Sequence, residues 1–212
     1  GRRVWLLERG FAVHSIAGDA LERAEAPAVI VATGAIERHL PVPGWTLPGV
    51  IGLAAATVLV KSFGILPGRR IVVAGAGPLL PLVAHLIRKA GGAVVAIVDV
   101  NPASAWIAQP GALLSRPDLF ARGVLWRASM AMSGAPWLWR HSVRRIVGAE
   151  RVEAVTVCPV DRNWASRPGE NERRIACDAV CIGFGLTPST EITRLLGAGH
   201  RYDEARGGLC PM

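Results

Sequence analysis

Lysine is nearly missing from this chain: of 24 basic residues, only Lys61 and Lys89 are lysines. The arginines stand in ones and twos, as at Arg2 and Arg3, Arg69 and Arg70, Arg144 and Arg145, and Arg173 and Arg174. A formal net charge of +8 over 212 residues therefore comes without the basic stripe and interleaved aromatics of a nucleic-acid surface, which argues against nucleic acid as a partner. Long apolar runs are missing too. Val50 to Val60 is stopped by Lys61, and Ile71 to Ile87 is broken by Gly75, Gly77, Pro78, Pro81 and His85. Both fall short of the roughly twenty apolar residues of a membrane span. Gly1 to Arg9 has no hydrophobic region long enough for a signal peptide, so the expected location is the cytoplasm. The four cysteines, Cys158, Cys177, Cys181 and Cys210, make no CxxC pair. On one strand, Cys177 and Cys181 would lie about 13 Å apart, beyond the roughly 7 Å reach of a disulfide. They read as small buried residues and not as a redox dithiol. His14, His39, His85, His141 and His200 are dispersed and define no metal site.

What the chain has is apolar mass and one ordered motif. A hydrophobic fraction of 51% supports one large or two small cores. Residues 71 to 99, IVVAGAGPLLPLVAHLIRKAGGAVVAIVD, read as strand, glycine turn, helix, strand and a closing acid. That is the order of a dinucleotide-binding unit. The run Ile71 to Ala74 suits a strand buried on both faces, and Gly75 and Gly77 let the backbone approach a pyrophosphate. Pro78 suits a first helical position. The helix from Pro78 to about Ala90 aims its free amides at the phosphates, and Asp99 can accept hydrogen bonds from a ribose hydroxyl. The third fingerprint glycine is Leu80, so the pattern is GxGxxL. A bulky residue there is expected to push helix and strand apart, which leaves the nucleotide open.

Elsewhere the chain reads as short strands at Val4 to Leu7, Phe11 to Ile16 and Ala28 to Ala32. A proline- and glycine-rich crossing from Ile36 to Val50 follows, and then a helix from Ile51 to Phe63 ended by Gly64. Helices are expected around Gly111 to Ser115 and Leu119 to Met132. A hairpin is expected from Ser142 to Val147 and Arg151 to Val157, then a polar loop over residues 161 to 173. Cys177 to Gly183 reads as a buried strand. Pro188 is expected to open a helix that Gly197 closes.

VIVATGAIERHLPVPGWTLPGV at residues 29 to 50 and CDAVCIGFGLTPSTEITRLLGAGHRYD at residues 177 to 203 resemble flavoproteins with two dinucleotide-binding domains, the pyridine nucleotide-disulfide oxidoreductase type. Within these, they resemble subunits of the hydrogen cyanide synthase, opine oxidase and dye-linked proline dehydrogenase kind. The resemblance implies an α/β fold in which a Rossmann-like βαβ nucleotide-binding domain is inserted between two partial segments of an FAD-binding domain. The implied boundaries are 1–62 for the first FAD segment, 63–178 for the insert and 179–212 for the return. It further implies that Ala32, Thr33 and Gly34 lie against the flavin, while Gly183, Phe184 and Gly185 mark the return crossing. The chain lacks the family's N-terminal glycine fingerprint and its later Gly-Asp flavin motif, so the expectation is a fragment of a longer protein, itself unable to work alone.

The implied function is that of a subunit of an FAD-dependent amino-acid, amine or opine dehydrogenase or oxidase. It would bind FAD in the full-length parent, and NAD or another adenine nucleotide besides. A second, amine-oxidising flavoprotein subunit is the implied partner, and an amino-acid-like small molecule the implied substrate. Cofactors carry such chemistry, and no catalytic residue is assigned. Two alternatives remain open: a non-catalytic nucleotide-binding structural subunit, which Leu80 favours, and an NADH-dependent flavoprotein reductase, for which Asp99 would repel the extra phosphate of NADP.

Overall fold

Ladder pairing, more than local periodicity, makes the first strands. β1 (Arg3–Leu7), β2 (Ala12–Ala17) and β3 (Ala20–Glu25) form an antiparallel sheet in that order. The charged, largely exposed β3 is a strand because each of its residues pairs with β2, from Ala20 opposite Ala17 to Glu25 opposite Ala12. The computed structural model describes residues 1–106, 117–166, 169, 171–204 and 207–212. The helix expected at Gly111 to Ser115 lies outside them. The chain divides into two compact units, Gly1–Ile36 with Leu186–Met212, and Glu37–Gly185.

The strand expected at Ala28 to Ala32 does not form. The segment is irregular and Ile30 is 94% exposed. An apolar run becomes a buried strand only if neighbours supply a hydrogen-bonding ladder, and none of the described strands pairs with it. The chain re-enters order at β4 (Ala35–Glu37). The crossing that follows is a series of tight turns, with Trp45 N–H on the Val42 carbonyl, Leu47 on Gly44 and Val50 on Leu47.

The unit Glu37–Gly185 holds a five-stranded parallel sheet. Its first strand, β5 (Val50–Gly52), leads into α1 (Leu53–Phe63), which Gly64 closes in the left-handed conformation. β6 (Arg70–Gly75), α2 (Leu79–Lys89) and β7 (Ala93–Asp99) make the expected βαβ unit. α3 (Pro117–Ala131) precedes the short β8 (Trp137–Trp139). An antiparallel meander of β9 (His141–Val147), β10 (Ala154–Pro159) and β11 (Arg173–Ala176) comes before β12 (Ala179–Gly183). The parallel order is β5-β12-β6-β7-β8. Every neighbouring pair in it is parallel.

Both faces of this sheet are covered, which is why β6 is a continuous apolar run. Ile71 and Val73 pack with Leu53, Val83, Ile87 and Met130 on the helical face. Val72 and Ala74 pack with Val143, Ile146, Val155 and Val157 on the meander face. Leu80 is completely buried in the helical-face cluster beside Leu53, Ala56 and Ala84. The small alanines around it give the leucine a place in a closed core. Pro81 falls in the first turn of α2, where a missing N–H breaks no helical bond.

In the other unit the return segment forms β13 (Leu186–Pro188), paired with β4, then α4 (Glu191–Leu195) and the hairpin of β14 (His200–Asp203) and β15 (Gly208–Pro211). Pro188 therefore ends a strand and does not open the helix. In a two-stranded sheet its missing N–H costs little, and pairing continues past it through Ser189 N–H on the Gly34 carbonyl, 3.0 Å. Gly197, at φ +71°, follows the helix. Among the described residues no helix is long and apolar enough to cross a membrane.

Candidate functional site

The turn between β6 and α2 lies at the carboxyl ends of the parallel strands, the edge where open α/β sheets bind ligands. Its two glycines do different work. Gly75 has φ +130°, and a Cβ there would land on the Gly183 carbonyl of β12. Gly75 is thus fixed by close strand approach. Gly77 has φ +92°, and nothing lies within 4 Å of where its Cβ would be. That open space lies beside a helix start: Pro78 caps α2 without any side-chain cap bond, Leu80 N–H donates to the Gly77 carbonyl (3.3 Å) and Pro81 has no N–H, which leaves the Leu79 N–H of the first turn for an anion. Ala76 N–H donates to the Gly183 carbonyl (3.0 Å) and Val100 N–H to the Gly75 carbonyl (3.1 Å). The turn is therefore tied to the strand on either side of it.

On the β7 side, Asp99 closes its strand opposite Trp139 of β8. Only 1% of its surface is exposed. Its Oδ1 accepts the Asn101 N–H at 2.9 Å. Burial pushes the carboxyl up to about 6, against the opposing pull of hydrogen bonds from Asn101 and Trp137 and the charge of Arg127. Trp137 and Trp139 stack with centroids 4.6 Å apart, and the Arg127 guanidinium sits 5.4 and 5.1 Å from their rings. Arg140, next in the chain, is held at φ +54° and donates its N–H to the Asn101 carbonyl.

On the β12 side stands a residue that sequence reasoning passed over. Glu37 places a carboxylate oxygen 3.0 Å from the Ala54 N–H in the first turn of α1. Burial raises its pKa, opposed by the first-turn amides and His39. Gly185 continues the edge at φ +98°, its carbonyl accepting the Arg38 N–H at 2.9 Å. Gly75, Gly77, Pro78, Asp99, Gly183 and Gly185 thus share one unit. Ala32, Thr33 and Gly34 belong to the other, where the Thr33 hydroxyl donates to the Ser189 carbonyl (2.9 Å) and Gly34, at φ +73°, has open space at its Cβ position.

Cys177 and Cys181 are buried. Burial pushes their thiols up to about 11 and 12, with Asp178 adding to the first and Glu37 to the second. Neither is a thiolate at neutral pH, and the thiolate is the reactive form.

A parallel sheet, a glycine turn at a free helix start and an acid at the next strand end define the dinucleotide-binding class of α/β proteins. The chain belongs to the pyridine nucleotide-disulphide oxidoreductase family, whose model matches residues 9–208. It is 32% identical over 205 residues to hydrogen cyanide synthase subunit HcnB of Pseudomonas aeruginosa, covering 96% of this chain and 42% of that protein. It is 31% identical over 204 residues to an opine oxidase subunit of Agrobacterium tumefaciens, covering 93% and 38%. Among solved structures, L-proline dehydrogenase from P. horikoshii matches with a TM-score of 0.63 at 20% identity, over 99% of this chain and 31% of that one. Thioredoxin reductase from T. acidophilum matches with a TM-score of 0.62 at 22% identity, over 98% and 59%. The chain spans about two-fifths of the length of the curated relatives it matches.

Proposed function

We propose that the parent protein is the FAD- and nucleotide-binding subunit of an oxidoreductase acting on an amino acid, amine or opine, and that residues 63–178 are its inserted adenine-nucleotide domain. One observation carries this reading: Gly77 opens onto the uncapped start of α2 at the carboxyl edge of the sheet. The residues fit, because a phosphate could approach the Gly77 backbone unhindered and accept the Leu79 N–H at the start of α2. Gly75 and Pro78 would shape that cradle. Asp99 would bind a ribose hydroxyl in exchange for the Asn101 amide it now accepts. Ala32, Thr33 and Gly34 would lie against the flavin, and Gly183 and Gly185 would mark the return crossing. The left-handed, uncrowded Gly34 suits a flat ring lying against the backbone.

When bound, a flavin supplies electron transfer and a nicotinamide dinucleotide supplies hydride. This chain's own residues would bind and orient those groups. The partner we infer is a second, flavin-containing amine-oxidising subunit that performs the substrate oxidation, and the inferred location is the cytoplasm. The relatives, subunits of hydrogen cyanide synthase and of opine oxidase, support this assignment, as does the burial of Cys177 and Cys181 away from dithiol chemistry.

Anaerobic titration of the full-length protein with NADH, followed by flavin absorbance, tests the reading. Rapid bleaching assigns the nucleotide site to electron entry. Flavin that stays oxidised at saturating NADH counts against NADH reductase activity and leaves nucleotide binding as the domain's role. Full-length protein purified without flavin overturns the flavoprotein assignment.

A further inference from the structure

Glu37 is placed as no ordinary helix cap would be. The N-cap of α1 is Gly52, which offers no side chain. The carboxylate comes instead from 17 residues upstream of the Ala54 amide it accepts. Two glycines make room for it. A Cβ on Gly52 would collide with Oε2, and a Cβ on Gly183 would collide with Oε1. Oε1 is buried without a hydrogen-bond partner. Cys181 lies close enough that the Glu37 charge helps raise its thiol. A cap serving only helix stability would be a serine or aspartate at position 52, its side-chain oxygen accepting a first-turn N–H. A half-satisfied carboxyl pressed into a glycine cradle gives up stability.

Gly183 connects this carboxylate to the candidate site. It is the residue whose missing Cβ leaves room for Oε1, whose carbonyl accepts the Ala76 N–H at 3.0 Å, and whose backbone blocks any side chain at Gly75. One continuous set of contacts therefore runs from Glu37 through Gly183 to Gly75 and Ala76, and so to the open turn at Gly77. We propose that Glu37 is a positioning residue of the nucleotide site, holding the phosphate-binding turn in place through Gly183 while it occupies the start of α1. The proposal rests on the nucleotide reading above for its function, but its structural content can be measured without any ligand.

The test compares full-length wild type, Glu37→Gln and Glu37→Ala by hydrogen exchange resolved over residues 53–57 and 74–78, with NAD⁺ affinity measured in parallel. Loss of the carboxylate is expected to speed exchange in both segments and to weaken NAD⁺ binding about tenfold, the scale of one lost hydrogen bond. The isosteric glutamine, which can still accept from Ala54 and fill the cradle, is expected to restore both to within about threefold. Faster exchange confined to residues 53–57 would reduce Glu37 to a helix cap and overturn the proposal. If Glu37→Ala does not fold, Glu37→Asp takes its place, since the shorter chain cannot reach both Gly52 and Gly183; unchanged exchange at residues 74–78 in that variant is equally contrary. Absence of NAD⁺ binding by wild type would defeat the nucleotide reading, whereas the exchange pattern at residues 74–78 would still decide what Glu37 holds.

Discussion

An acid buried at a strand end is expensive to ionise, and Asp99 carries that expense. Its folded pKa near 6 stands above the ordinary value of 3.8. The folded state thus binds the proton more tightly than the unfolded one. The stability this contributes is fully present below about pH 3.8 and is lost as pH rises through about 6; by neutral pH the loss is about 3 kcal/mol. Asp99→Asn keeps an oxygen for the Asn101 N–H and removes the charge. It should therefore raise the melting temperature at pH 7.5 and flatten the fall in stability between pH 4 and 6, as thermal denaturation across pH will show. A variant less stable than wild type at pH 7.5 would mean that the carboxylate is well paired by Asn101, Trp137 and Arg127. If the acid is kept for a ribose, the same substitution should weaken adenine-nucleotide binding by about 1.5 to 3 kcal/mol, the worth of a charge-assisted hydrogen bond. Calorimetry with an unchanged affinity would remove Asp99 from the site. Stability gained together with binding lost would mark a residue retained for function.

At the scale of elements, the two glycines of the β6–α2 turn should fail differently. Gly75→Ala drives a methyl into the Gly183 carbonyl and should destabilise the protein by about 3 kcal/mol or more, because the obstacle is backbone that cannot move without breaking the β6–β12 pairing. Gly77→Ala meets no atom and should cost only the left-handed backbone strain, about 1 to 2 kcal/mol. Chemical denaturation of the two variants checks the contrast; equal losses would contradict it. The turn was legible in the sequence because its signals are local: strand, glycines, proline and helix follow one another within a few residues. The same locality explains the failures. Ala28 to Ala32 has the composition of a buried strand, yet strand formation depends on a ladder partner far along the chain, and no described strand supplies one. Pro188 looked like a helix opener because proline suits that position, but pairing with β4 claims it. β8 is three residues long, and only its place beside β7 makes it a strand. Glu37 was missed because its significance lies in Gly52, Ala54 and Gly183, which no spacing rule connects. Leu80 is completely buried in the cluster on the helical face of the sheet.

At the scale of the whole molecule, the parallel sheet with helices on one face and a meander on the other belongs to the pyridine nucleotide-disulphide oxidoreductase family, and the fold confines the interesting chemistry to one edge. The strand ends at Gly75, Asp99 and Gly183 converge there. Two acids flank the turn: the buried Asp99, which pairs with Gly75 across the β6–β7 ladder, and the half-buried Glu37, which reaches it by way of Gly183. The uncapped start of α2 lies between them, where an anion would be received. Calorimetry of NAD⁺ binding to the full-length protein, wild type beside Gly77→Ala, tests this most directly. Saturable binding to wild type is expected, and binding at least about tenfold weaker in a folded Gly77→Ala, whose methyl occupies the space a phosphate needs. No binding to wild type, or equal affinity in the two proteins, would contradict it.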